Sequence, residues 1–156
     1  MTNRNEMIQR KIAMINARKI MGEFEYLQLI NFEEQESHWI HLFQPKLEEF
    51  LKINSKPTYE KVEGDIEKNY ILWIEDRLNF LKNVKEWLIG VPNCSVWANV
   101  KVLDYAKAIE ELWLFSEDNS FLIADKSSGV VVQTFSEEKC YEIHIGKCDV
   151  KSIESN

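Results

Sequence analysis

A chain of 156 residues, 45% of them apolar and 12% aromatic, has enough hydrophobic surface to bury a core and does not read as a disordered polymer. Its 19 basic and 26 acidic side chains give a formal net charge of −7 and a pI near 5.1, which argues against general binding to nucleic-acid phosphates. Arg10, Lys11, Arg18 and Lys19 interrupt the start and no long uncharged apolar run follows, so neither a secretory segment nor a membrane span is expected.

Ile8, Ile12 and Ile15, with Ala13, Ala17 and Ile20 beside them, recur at three- and four-residue spacing, so residues 4–20 read as an amphipathic helix ending at Gly22. Its apolar stripe of Ile, Met and Ala lacks the bulky Trp, Phe and Leu of a membrane-surface helix and is expected to pack on the core. Residues 23–32 fit a helix end and a short strand equally. Trp39, Leu42, Phe43, Leu47, Phe50 and Leu51 are again helical in spacing, and Pro45 should kink that helix or split it into 35–43 and 45–53. Residues 54–64 read as a linker, and Asp65 as the cap of a long helix over 66–89 that ends at Gly90 and Pro92.

Beyond Pro92 the period changes to alternation, with Val96, Ala98, Val100 and Val102 on one face. Residues 104–111 fit a helical turn or a connection. The runs 112–115, 121–125, 130–135 and 141–145 are rich in β-branched and aromatic residues and are joined by short polar links, with Gly129 placed for a positive φ. The expectation is a single α+β domain over 1–156: N-terminal helices, about 1–90, packed on one face of a C-terminal antiparallel β-meander of four to five strands, about 94–147, followed by a short flexible tail, 149–156.

Candidate chemistry is sparse. In the cluster Glu34, Glu36, His38 and His41, one helix face could present the two imidazoles and the Glu34 carboxylate to a metal, yet H-E-x-x-H is absent. In a strand, Cys140, Glu142 and His144 point to one side and Tyr141, Ile143 and Ile145 to the core; a zinc site there needs a further ligand, and C-x2-C is missing. A Cys140–His144 nucleophile pair fails on distance, since four residues of strand span about 13 Å. No phosphate-binding glycine loop or nucleophile elbow occurs. Three cysteines, an odd number in a chain of this size, suggest free thiols in a reducing cytoplasm.

Charge is unevenly spread: residues 1–22 carry a net +4, residues 23–67 a net −7, and residues 68–156 a net −4. The chain therefore reads as a non-enzymatic cytoplasmic protein-binding module, in one concrete form an immunity- or antitoxin-like protein, presenting an acidic face to a basic protein partner. Glu33, Glu34, Glu36, Glu48 and Glu49 would supply charge, and Trp97 and Trp113, both placed in strands with an uncovered face, would supply buried area. No cofactor, metal, nucleic acid or membrane enters that reading. The alternatives are a small metal-dependent hydrolase using His38, His41 and nearby carboxylates, and an oligomeric regulator that pairs through a sheet edge or a long helix.

Overall fold

The computed structural model describes residues 4–151. In chain order the elements are α1 (Arg4–Met21), β1 (Leu27–Phe32), α2 (His38–Phe50), β2 (Tyr59–Val62), α3 (Glu67–Arg77), a 3-10 turn (Asn79–Leu81), β3 (Glu86–Gly90), β4 (Trp97–Val102), α4 (Tyr105–Phe115), β5 (Leu122–Ala124), β6 (Val130–Ser136) and β7 (Cys140–Lys147). The strands form one sheet in the order β1-β4-β3-β5-β6-β7-β2, and every neighbouring pair is antiparallel. The class is α+β, with helices concentrated early and strands late. Among the described residues no helix is long and apolar enough to cross a membrane.

Alternation along the strands decides what covers each face. Trp87 and Ile89, Ala98 and Val100, Ile123, Val132, Tyr141 and Ile143 point to one side, where they meet Ala17 and Met21 of α1, Ile74 of α3 and Ala108, Ile109, Leu112 and Trp113 of α4. Leu88, Leu122, Ala124 and Val131 point to the other side and are covered by Phe43 and Leu47 of α2. The helices thus lie on both faces, not on the single face expected, because the central strands are apolar on both sides. At Gly146 the contact with α2 is so close that an added Cβ would stand 2.8 Å from Lys46 Cγ.

The sheet also exceeds the expected meander of four to five strands, and three of its seven strands come from the part read as helical. Residues 27–32 settle as β1, with a bulge between Leu29 and Asn31 that turns Ile30 to solvent. Tyr59–Val62, read as linker, is the edge strand β2, whose Tyr59 and Lys61 oppose Ile143 and Tyr141. The long helix expected over 66–89 ends at Arg77, and Glu86–Gly90 is strand β3. Trp87, Leu88 and Ile89 are consecutive and all buried, a run that helical spacing alone does not distinguish from a strand covered on both faces.

The opposite error occurs at 112–115. Asp104 accepts a hydrogen bond from the Lys107 amide at 3.0 Å and caps α4, which carries 112–115 as helix instead of strand. In α2, capped by Ser37 through the Trp39 amide at 3.0 Å, Pro45 is accommodated within one continuous helix. The missing donor would have bonded the carbonyl of His41, and both residues face solvent. Asp65 is not the cap of α3: Ile66 holds that position, and Asp65 accepts from the Ile66 amide and from Asn69.

Two polar devices fix the helices. Glu111, buried on α4, accepts the amides of Glu25 and Tyr26, each at 2.8 Å, and so ties the entry of β1 to α4. Asn93 and Asn119, both at positive φ, donate to the carbonyls of Phe115 and Trp113 at the end of α4. The stripe of α1, expected to be core, is covered only near its end: Ala17 and Met21 are buried, while Ile8, Ile12 and Ile15 are exposed. Residues 152–156 of the expected tail lie outside the described residues.

Candidate functional site

Three separate stretches of chain converge at one end of α3. The β2–α3 connection with the first turns of α3 brings Glu63, Asp65, Glu67 and Tyr70, α4 and its following loop bring Trp113 and Asn119, and the β6–β7 hairpin brings Ser136, Glu137 and Tyr141. Together they line an open cleft of about 340 Å³. Its floor is aromatic. Tyr70 stacks on Trp113 with ring centres 6.0 Å apart, and Trp113 leans on Tyr141 at 5.1 Å. These rings are fixed by polar bonds: the Trp113 indole donates to Glu67 Oε1 at 2.7 Å, Tyr70 to the Val62 carbonyl at 3.0 Å, and Tyr141 to the Asn119 carbonyl.

The rim is acidic. Among the described residues the carboxylates of Glu63, Glu67 and Glu137 have no ion-pair partner. Hydrogen bonds from Asn69, then from the Ile66 amide, then from Lys61 hold the Asp65 carboxyl below its usual range. Burial, reinforced by Asp118, pushes the Tyr141 phenol up, so it remains a neutral donor. The chain already seats one of its own cations at the edge: Lys61 Nζ lies 3.1 Å from Asp65 and 5.6 Å from the Tyr70 ring centre. Carboxylates around π faces attract a further cation, since both the charges and the ring quadrupoles favour it.

Of the partner-binding residues expected from sequence, only Trp113 lines this site; Cys140, weighed there as a metal ligand, also borders it. Glu33 is an internal acceptor: it takes Ser37 Oγ at 2.5 Å, Asn99 at 2.7 Å and Lys126 Nζ at 2.9 Å. Burial pushes its carboxyl up, but these three donors outweigh burial and leave it below the usual carboxylate range. Glu34 and Glu36 are exposed ahead of α2, and Glu48 and Glu49 near its end, with Glu49 paired to Lys46 at 3.2 Å. The two pairs are separated by most of the helix, roughly 18 Å at its rise per residue, so they are not one patch.

Trp97 and Trp113 lie on opposite faces of the sheet and cannot form a joint aromatic surface. Trp97 is half-buried beside α2, and Trp113 is buried on α4. Trp113 nevertheless lines the cleft, in the floor and not as a protruding anchor. His38 and His41 are exposed on α2. Among the described residues, the group with metal-ligand spacing is a different one: Glu60, Cys140 and Glu142, on the α2 side of the sheet. The alternation that sent Cys140, Glu142 and His144 to one side holds, and α2 then buries His144.

No local spacing announces the cleft, because its residues are scattered over 63–70, 113, 119 and 136–141. Tyr59–Val62 carries no apolar–polar alternation, since Lys61 lies on the inner side and Val62 on the outer, so nothing local marks 54–64 as more than a linker. Comparison with protein-family models, with curated proteins and with solved structures finds no match to this chain.

Proposed function

We propose that the protein is a binding module that takes a basic segment of a protein partner, with an arginine or lysine side chain entering the cleft between α3, α4 and the β6–β7 hairpin. The observation that carries this reading is the convergence of Glu63, Asp65, Glu67 and Glu137 around the rings of Tyr70, Trp113 and Tyr141. An arginine guanidinium stacks on Tyr70 while its donors reach the rim carboxylates, as Lys61 does from within the chain. Glu63, Asp65, Glu67 and Glu137 give this end of the molecule a local negative field that attracts such a partner.

The role is non-enzymatic, and an immunity- or antitoxin-like protein that covers a basic enzyme surface is its most concrete form. The proposed compartment is the cytoplasm, which suits three free cysteines. Affinity capture from the source organism's lysate at low and high salt, followed by mass spectrometry, tests the reading. A stoichiometric basic protein, released by salt and lost from a Glu63→Gln, Asp65→Asn, Glu137→Gln variant, is the expected result. Retention of the same protein by that variant overturns the assignment of the cleft.

A further inference from the structure

On the opposite face of the same sheet edge, β2 and β7 bring together Glu60, Cys140 and Glu142, of which only Cys140 also borders the cleft. Glu60 pairs directly with Glu142, and Val62 with Cys140, so Glu60, Cys140 and Glu142 all project toward the α2 side. One ligand atom from each lies within 4.8 Å of the other two. The Cys140 thiol donates to Glu142 Oε2 at 3.8 Å. Two carboxylates directly opposite each other on adjacent strands repel, and among the described residues neither is paired with a lysine or arginine.

The other oxygen of Glu142 is held from behind. His144 Nε2 lies 3.0 Å from Glu142 Oε1, and its ring is enclosed by Phe50 and Phe135, each with a centre 5.3 Å away. That enclosure fixes the imidazole, which in turn aims Oε2 of Glu142 toward Cys140 and Glu60. Metal-binding carboxylates are characteristically oriented by such a hydrogen bond from behind.

We propose that Glu60, Cys140 and Glu142 bind a zinc-like divalent cation, with His144 as the positioning residue for Glu142. A thiolate with two carboxylates suits zinc, whereas magnesium and calcium select all-oxygen ligands. Tetrahedral zinc holds such ligands about 3.5 Å apart, a closure of roughly 1 Å that the exposed Glu60 side chain supplies by rotation. Three protein ligands leave the fourth position to water. On binding, the Cys140 S–H bond breaks, its proton passes to solvent, and the sulfur lone pair forms the bond to the metal.

The test uses the full chain and cobalt(II), whose bond to thiolate gives a charge-transfer absorption in the near ultraviolet. One equivalent of cobalt should give that band, and zinc should displace it. The band should vanish in Cys140→Ser, persist in Cys94→Ser and Cys148→Ser, and need roughly 10-fold more cobalt or beyond in His144→Gln. In the unmodified chain, zinc should slow alkylation of Cys140 while leaving Cys148 unchanged, a readout that does not depend on any variant folding. Absence of the band at excess cobalt, its survival in Cys140→Ser, or equal alkylation of Cys140 with and without zinc overturns the proposal.

Discussion

Replacement of Glu111 tests most sharply how the two halves of the chain are joined. Its carboxylate accepts the amides of Glu25 and Tyr26 at 2.8 Å each, across 86 and 85 residues of sequence. Hydrogen bonds to a charged acceptor contribute about 1.5–3 kcal/mol apiece, and an amide left without a partner in a part-buried setting loses most of that. Glu111→Leu removes both bonds. Water reaches the freed amides in part, because Glu25 is exposed and Tyr26 half-buried, which places the expected loss near 2–4 kcal/mol. Glu111→Gln keeps one acceptor but turns its NH2 toward the second amide, for a loss of about 1.5–3 kcal/mol. Urea denaturation followed by tryptophan fluorescence should show a lower midpoint with an unchanged slope, and Tm should fall by roughly 2–4 °C per kcal/mol. The reasoning is refuted if Glu111→Gln unfolds within about 0.5 kcal/mol of the parent chain.

Gly129 has φ +83°, and a Cβ there would stand 2.1 Å from the Cys148 carbonyl oxygen, so Gly129→Ala should cost more than the ~1–2 kcal/mol of the left-handed backbone alone; an unchanged melting temperature would contradict this. Glu33, held below its usual carboxylate range in the fold, contributes stability that is fully present above the unfolded value and is lost as pH falls through the folded one. Acid titration of the melting temperature should therefore show a shallower fall in Glu33→Gln than in the parent, and identical slopes would count against the network. Glu75 behaves in the opposite sense: burial first, then Glu110 and Asp104, push its carboxyl up, so the fold loses stability as pH rises through its raised value. Glu110→Gln should accordingly raise the melting temperature at neutral pH and have less effect in acid.

The elements legible in the sequence were those whose local pattern and tertiary setting agree. Val130–Ser136 and Cys140–Lys147, with Gly129 in the hairpin between β5 and β6, follow directly from β-branched runs and turn residues. Where a strand is buried on both faces the pattern fails, since Trp87, Leu88 and Ile89 satisfy a helical stripe as well as a central strand. Leu112–Phe115 misled in the other direction: their aromatic and aliphatic character resembles a strand, but Asp104 and the spacing of Ala108, Ile109, Leu112 and Trp113 make them helix. The site was less legible than the fold. Sequence singled out Glu33 for its charge, yet only three-dimensional neighbours show that Ser37, Asn99 and Lys126 consume its oxygens. Glu63, Glu67 and Glu137 became candidates only when the sheet brought β2 beside β7.

The most direct test of the binding reading is calorimetric titration of an arginine-rich peptide into two variants of equal net charge. One carries Glu63→Gln, Asp65→Asn, Glu67→Gln and Glu137→Gln at the cleft; the other carries Glu34→Gln, Glu36→Gln, Glu48→Gln and Glu49→Gln along and beside α2. The account predicts that the cleft variant loses measurable binding at low salt while the α2 variant binds within a few-fold of the parent chain. Equal weakening of both variants would mean that overall charge, not the cleft, attracts basic partners, and would contradict it.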